Sequence, residues 1–507
     1  MALIDVSNNN MYRAVALSKA IHARRSRAQL DGIPTVDFTD GDNSDERHIR
    51  DMRELLREGY RKYTKHGLPF QVRNLVDPSH ARVFLPLKYL AEIKGARQDR
   101  LSFYDILYQS FLNEYTQAPS PTEVVIRLIR TDLTKNLGKL IPGIQEEVDV
   151  GLSSRLPKSA DWTPFTPHLT FAYTISRAVA RLLGGDDLRG NEEWININLH
   201  STILTHQVSN DIRARYPRPL WWLARWRHPG ARALLAYRKR AAKMIQGILE
   251  RQHMQAQEGG GRDDNREPNA IQWTMAAKGP QARTRPPMEI SDDCLVVGLV
   301  AIHTSAATTL TVLYDLLDRP EVMAELVEEI ESARAAHCPP GQHWTKEALG
   351  RLVKLDSFMA ESMRYDSPFY VSMQRVVMTE YVFQDGLRLP RNMQIAVPTR
   401  EINCDEDLYE NPDVFDPWRF LKMRQAGDPN KYHFAYVSDQ TLNFGAGNHA
   451  CPGRYFASYQ IKLMLIHLLS RYEMKWPEGQ CRPRNKPHDL FNRPDTTATI
   501  LFRERES

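Results

Sequence analysis

The stretch that most limits what this chain can become is Asn443-Phe444-Gly445-Ala446-Gly447-Asn448-His449-Ala450-Cys451-Pro452-Gly453-Arg454, which runs directly into an apolar helical segment, Tyr455 to Tyr472. Glycines at 445, 447 and 453 allow positive φ and let the backbone come close to a neighbouring group. Pro452 suits a first helical position, which would put Cys451 at a helix N-terminus. Free N–H groups and the helix dipole there favour a thiolate over a thiol. Such a sulfur can be a structural cysteine in a tight turn or a metal ligand. The five cysteines, at 294, 338, 404, 451 and 481, include no C-x-x-C pair. They give neither a zinc frame nor a disulfide scaffold, and their scatter suggests a reducing compartment.

A thiolate ringed by backbone donors also meets the needs of an axial ligand to haem iron, because donors to the sulfur tune the metal. The pattern Phe444-x-x-Gly447-x-x-x-Cys451-x-Gly453 resembles the haem-binding signature of the cytochrome P450 superfamily, with His449 where an arginine usually stands. His-Ala-Cys-Pro-Gly-Arg is similar to the version in fungal members that tailor secondary metabolites. The resemblance implies a mainly α fold with a minor β region (α+β). It also implies haem b held between a long distal helix and the proximal helix after Cys451, with Cys451 as the iron ligand. Phe444, Gly447 and Gly453 would shape the haem cradle, and His449 would reach a propionate.

Ser291 to Leu317 is the second organising element. At about 1.5 Å per residue it would be roughly 40 Å long. It is apolar nearly all round, so it should be buried. Ser291 can cap it, and Asp292 and Asp293 suit its positive end. His303, Thr304, Ser305, Thr308 and Thr309 interrupt the apolar run, which argues against a membrane span. By the resemblance, Ala301-Ile302-His303-Thr304-Ser305 takes the positions over the haem. Small Ala301 leaves room for dioxygen, Thr304 delivers protons, and His303 replaces the usual acid. An imidazole pKa near about 6.5 would let His303 relay protons.

Glu361-Ser362-Met363-Arg364 places two opposite charges one helical turn apart, and Asp416-Pro417-Trp418-Arg419-Phe420 follows later. Ordered before the cysteine loop, these resemble the family's Glu–Arg–Arg lock, here Glu361, Arg364 and Arg419. Arg127 to Thr134 resembles the helix that offers an arginine to a haem propionate. Arg130 is the match, with Ile126 where a tryptophan is usual. Arg375, on a strand read over Met373 to Val377, matches a second propionate arginine. Asp385-Gly386 marks a hairpin turn, and Arg82 to Leu85 reads as a strand. Ser120 to Val150 reads as helix broken at Pro142-Gly143. By analogy, residues 367–372 and 489–495 would line the substrate pocket.

The chain has 507 residues, 42% of them hydrophobic, enough for an extensive core. Residues 34–507 read as a single haem-thiolate oxygenase domain. Residues 1–33 read as an N-terminal segment without a recognisable transmembrane anchor. Met1 to Ala28 carries Asp5, Arg13, Lys19, Arg24, Arg25 and Arg27 and no apolar run of about 18 residues. A net charge of +5 is mild, and no nucleic-acid signature accompanies it. Pro217 to Tyr237 mixes Trp221, Trp222 and Trp226 with arginines, which suits either the headgroup zone of a bilayer or tryptophans packed in a core. Glu258 to Pro287 reads as a surface loop, and Gly259-Gly260-Gly261 lacks the partners of a phosphate loop.

The resemblance implies a haem-thiolate monooxygenase that places one atom of dioxygen into an apolar small molecule of terpenoid, steroid or polyketide origin. Electrons would come from NADPH through NADPH–cytochrome P450 reductase. By analogy it would work at the cytosolic face of the endoplasmic reticulum membrane, or as a soluble cytoplasmic protein if no anchor exists. One alternative keeps the site but performs desaturation, ring formation or rearrangement without net hydroxylation. Another is a non-enzymatic haem sensor or carrier.

Overall fold

Long helices dominate the computed structural model, which describes residues 32–505 apart from 78, 121, 258–267, 277–284 and 340. About 58% of the chain is helical, so the fold is α+β with minor sheets, as the sequence implies. In chain order, the helices that frame the site are α1 (Thr134–Ser153), α2 (His168–Gly184), α3 (Glu192–Arg215), α4 (Pro229–Gln257), α5 (Pro287–Leu317), α6 (Val353–Tyr365) and α7 (Arg454–Arg471).

Helix α5 is apolar enough to cross a membrane, with mean hydropathy 1.7, yet 72% of that window is buried within the protein. It packs against α2, α3, α4 and α7. A helix covered by neighbours on several sides has to be apolar on several sides, which explains its composition. Gly298 makes room for α3: a Cβ there would lie 2.2 Å from Asn198 Oδ1.

The start of α5 differs from expectation. It begins at Pro287, with Pro286 before it, and Ser291 is a buried residue inside the helix. Proline is well suited to the first turn, so the Pro286-Pro287 pair outcompetes Ser291 as the start signal. The two acids then serve as ties. Arg238 of α4 brackets Asp292 at 2.8 and 2.6 Å. Asp293 accepts from Arg285 at 2.6 Å and from the Thr122 hydroxyl at 2.9 Å.

Helix α1 runs unbroken through Pro142. The lost hydrogen bond is outweighed by burial of Leu137, Leu140, Ile141 and Ile144 on the same helix. The irregularity falls earlier, in a π turn at Ile129–Leu133. The expected loop before α5 contains a helix, Ala270–Ala276, with Ile271 buried. Gly259-Gly260-Gly261 and residues 1–31 lie outside the described residues.

A five-stranded sheet orders Phe70–Val72, Arg82–Phe84, Gln394–Val397, Ser372–Val377 and Leu101–Ser102. Its register shifts between Ser372 and Arg375, where Met373 takes φ +53°. This is a bulge, a device that re-aims the side chains that follow it. Gly386 takes φ +90° in the short hairpin read from Asp385-Gly386. Near the C-terminus, Lys486–His488 and Phe491–Arg493 form a further hairpin.

The three tryptophans divide between the two readings. Trp221 donates its indole N–H to the Tyr216 carbonyl at 3.1 Å and packs edge-on against Tyr115. Trp222 and Trp226 are 58% and 65% exposed.

Candidate active site

The cysteine loop is shaped by its own backbone and mounted on distant residues. Cys451 N–H donates to the Phe444 carbonyl at 2.8 Å, closing the loop on itself. Gly447 has φ +66°, and a Cβ there would meet Lys94 Cβ at 2.7 Å, so glycine is required on both counts. Gly453 departs from expectation: its φ is −90°. Helix α7 begins at Arg454 with Gly453 as its cap, so Pro452 lies in the turn before the helix. Phe444 meets Phe434 edge-on at 5.4 Å, and Ala446 N–H donates to Met373 Sδ at 3.2 Å.

Cys451 Sγ is half-buried and accepts from the backbone N–H groups of Gly453 and Arg454. Burial pushes the free thiol up, and those donors with the Arg454 guanidinium only partly counter it. The N–H groups expected to favour a thiolate do act in that direction, and burial opposes them. A coordinated metal cation is what deprotonates such a sulfur.

Glu361, fully buried, is held from two sides. Arg364 donates to its two oxygens at 2.8 and 2.7 Å, and Arg419 Nε approaches at 3.1 Å. Asp416 N–H adds a further bond at 2.9 Å. The remaining guanidinium donors go to backbone carbonyls: Arg364 to Asn403 and Pro412, Arg419 to Glu410, Asn411 and Val414. A buried carboxylate so fully paired is directional and costly to break on one side.

A basic rim lies beside the loop. Arg375 is 2% exposed; its Nη1 donates to the Gln374 carbonyl, while Nε and Nη2 have no hydrogen-bond partner. Burial pushes its pKa down to about 10. Arg130 donates to the Asn448 carbonyl on the cysteine loop itself. His449 lies against Gln98 at 3.0 Å. Burial first, then Arg375 and Arg130, push its pKa down to about 4. Two guanidinium groups and an imidazole thus converge on the cysteine loop, with buried donors left over. An anionic, acceptor-only group such as a propionate is what these atoms fit. Among the described residues no cluster of three or more His, Cys, Asp and Glu could hold a metal ion.

On the distal side, α5 keeps one open stripe. Val300 and Thr304, one turn apart, are exposed, and Ala301 and His303 are half-buried. The Thr304 hydroxyl donates to the Val300 carbonyl at 2.7 Å. The His303 ring lies parallel to His168 with centroids 6.5 Å apart, and its Nε2 is buried without a partner. Burial, then His168 and Arg493, push its pKa down to about 4. The expected titration near neutrality is absent: His303 is a neutral imidazole there.

Sequence reasoning missed Lys94, Gln98, Met373 and Asn403, which mount or abut the loop. Each acts across a long sequence separation and carries no local pattern. The family model described as Cytochrome P450 matches residues 124–502. Cytochrome P450 monooxygenase cheE of Chaetomium globosum is 52% identical over 492 residues, covering 97% of this chain and 95% of that protein. Cytochrome P450 monooxygenase CYP2 of Pyricularia oryzae is 42% identical over 444 residues, covering 88% and 91%. Pyrichalasin C-7 hydroxylase of Pyricularia grisea is 34% identical over 469 residues, covering 92% and 91%.

Proposed function

Since this chain belongs to the cytochrome P450 family and is a monooxygenase-type oxidoreductase, we propose that residues 34–507 form one haem-thiolate domain that hydroxylates an apolar secondary metabolite of terpenoid, steroid or polyketide origin. The family carries haem b and takes electrons from NAD(P)H through a reductase; here we assign NADPH–cytochrome P450 reductase. Membership removes the non-enzymatic sensor or carrier from consideration.

When bound, the haem supplies dioxygen activation and transfer of one oxygen atom. Cys451 would hold the iron, with the N–H groups of Gly453 and Arg454 moderating the sulfur's electron donation. Arg375, Arg130 and His449 would take the propionates. Glu361, Arg364 and Arg419 hold the chain beneath the loop and do no chemistry. Val300 and Ala301 leave space on the open stripe of α5. Thr304 would hold a water there and pass a proton, and neutral His303 would orient it.

The observation that carries this reading is a half-buried sulfur flanked by two N–H donors and bordered by buried guanidinium atoms with no partner. The chain named for pyrichalasin hydroxylation supports hydroxylation as the outcome. The test is expression with the reductase in a host fed candidate terpenoids, steroids and polyketides under isotopic dioxygen. A product carrying one labelled oxygen atom agrees with the proposal. An oxidised product without label would establish the desaturation or ring-forming alternative instead.

Exposed Trp222 and Trp226, next to Arg225 and Arg227, support a peripheral contact with a membrane. We assign that surface to the cytosolic face of the endoplasmic reticulum. Flotation with anionic vesicles tests it, and a Trp222→Ala/Trp226→Ala chain that floats as well as the parent would oppose it.

A further inference from the structure

Met373 joins the cysteine loop to the strand that carries Arg375. Ser372 stands opposite Val397 and Arg375 opposite Ile395, so Met373 and Gln374 share the single opposing residue Ala396. Two residues against one make a bulge, and Met373 takes φ +53° in it. A methionine in the left-handed region is strained, and such strain persists only where the surroundings fix it. Those surroundings are the loop itself. The side chain is 4% exposed, and its sulfur lies in the crook of Gly445 and Ala446. The Ala446 N–H donates to Sδ at 3.2 Å, and a Cβ on Gly445 would lie 3.7 Å from the same atom.

The loop held in this way is closed on itself. Gly445 N–H donates to the Leu442 carbonyl at 2.8 Å, Ala450 N–H to the Gly447 carbonyl at 3.1 Å, and Cys451 N–H to the Phe444 carbonyl at 2.8 Å. Ala446 lies inside that closed turn, so a contact that fixes Ala446 also fixes the place of the Cys451 sulfur. Two other ties are more open to water: Arg130 reaches the carbonyl of exposed Asn448, and Asn403 reaches half-buried Asn443. Ala446 is buried, and among the described residues no other acceptor takes its N–H. Water can replace a lost partner at an exposed tie, whereas a buried N–H that loses its acceptor stays unpaired.

We propose that Met373 is a positioning residue: by accepting from the Ala446 N–H, its thioether holds the cysteine loop where Cys451 can ligate iron. The inference rests on the haem-thiolate reading above and adds to it a residue that no sequence motif marks. A thioether is a weak acceptor, yet it satisfies the N–H without bringing spare donors into a buried place. A purely space-filling methionine would behave differently on substitution. Leucine conserves its volume and apolar character and would be tolerated, while glutamine would bury an amide and do harm. The acceptor role reverses that order, because leucine accepts nothing and glutamine presents a carbonyl oxygen at similar reach.

The test compares the haem-loaded parent with Met373→Leu and Met373→Gln. One readout is the carbon-monoxide spectrum of the reduced protein, followed in time as the red-shifted Soret band gives way to an unshifted one. The other is backbone amide exchange at Ala446. In Met373→Leu the red-shifted band should decay, and Ala446 should exchange, roughly tenfold faster than in the parent. Met373→Gln should recover part of both. Parent-like behaviour of Met373→Leu in both readouts overturns the inference, and so does a Met373→Gln that is worse than Met373→Leu in both. Failure of the haem-thiolate reading looks different: the parent itself would show no red-shifted band, which removes that reading and this inference with it.

Discussion

The side-chain amide of Asn403 donates to Asn443 Oδ1 at 2.9 Å, and the Asn403 carbonyl accepts from Arg364 at 2.8 Å. One residue therefore joins the buried Glu361 lock to the first residue of the cysteine loop. Lock and loop are a single mechanical unit.

Glu361→Gln should strand two buried guanidinium groups and cost about 3–5 kcal/mol. Asn403→Ala removes only the link and should cost about 1 kcal/mol. Both should lose haem faster than the parent, measured by transfer to apomyoglobin, with Asn403→Ala showing the larger haem loss per unit of stability lost. Denaturant unfolding supplies the stability. Haem retention unchanged in Asn403→Ala would show that loop and lock are independent.

Arg375 gives effects of opposite sign. Its Nε and Nη2 are buried without a partner among the protein's own atoms. Arg375→Met should therefore stabilise the apoprotein by about 1–3 kcal/mol. The same change should weaken haem retention, because the propionate loses its deepest donor. Parallel unfolding curves with and without haem check both signs.

Asp356 supports the loop from behind and carries a pH dependence. It pairs with Lys462 of α7 at 2.6 Å and accepts from Phe434 N–H at 2.8 Å, and Phe434 packs on Phe444. Burial alone would raise its pKa, but Lys462 and the hydrogen bonds outweigh it and hold the carboxyl below its ordinary value. A lowered folded-state pKa means stability present above the unfolded value and lost as pH falls through the folded one. Asp356→Asn should cost about 3–5 kcal/mol at neutral pH. The gap from the parent should close below about pH 4, in urea unfolding across pH.

Thr304 lies on the open stripe of α5, its hydroxyl proton turned to Val300. Thr304→Ala keeps the helix and removes the group that can hold water at the site. Product formed per NADPH consumed should fall by roughly tenfold or more, with the difference recovered as hydrogen peroxide. Unchanged coupling would remove Thr304 from proton delivery.

Much of this site was legible because it is written in short, ordered motifs. Phe444, Gly447 and Cys451 lie within one loop, and Glu361 and Arg364 within one helical turn. What sequence misjudged was local competition. Ser291 looked like a cap until the Pro286-Pro287 pair started the helix earlier, and Pro142 looked like a break until burial along α1 carried the helix through it. What sequence could not reach was the environment of single side chains. His303 would titrate near neutrality in water, and only its neighbours His168 and Arg493, with burial, show that here it does not.

The central claim is that Cys451 ligates haem iron through its sulfur. The most direct measurement is the carbon-monoxide difference spectrum of the reduced protein, recorded for the parent chain and for Cys451→Ser at matched haem content. A strongly red-shifted Soret band in the parent, lost in Cys451→Ser, is the predicted result. The same red-shifted band in Cys451→Ser, or its absence from the parent, contradicts the account.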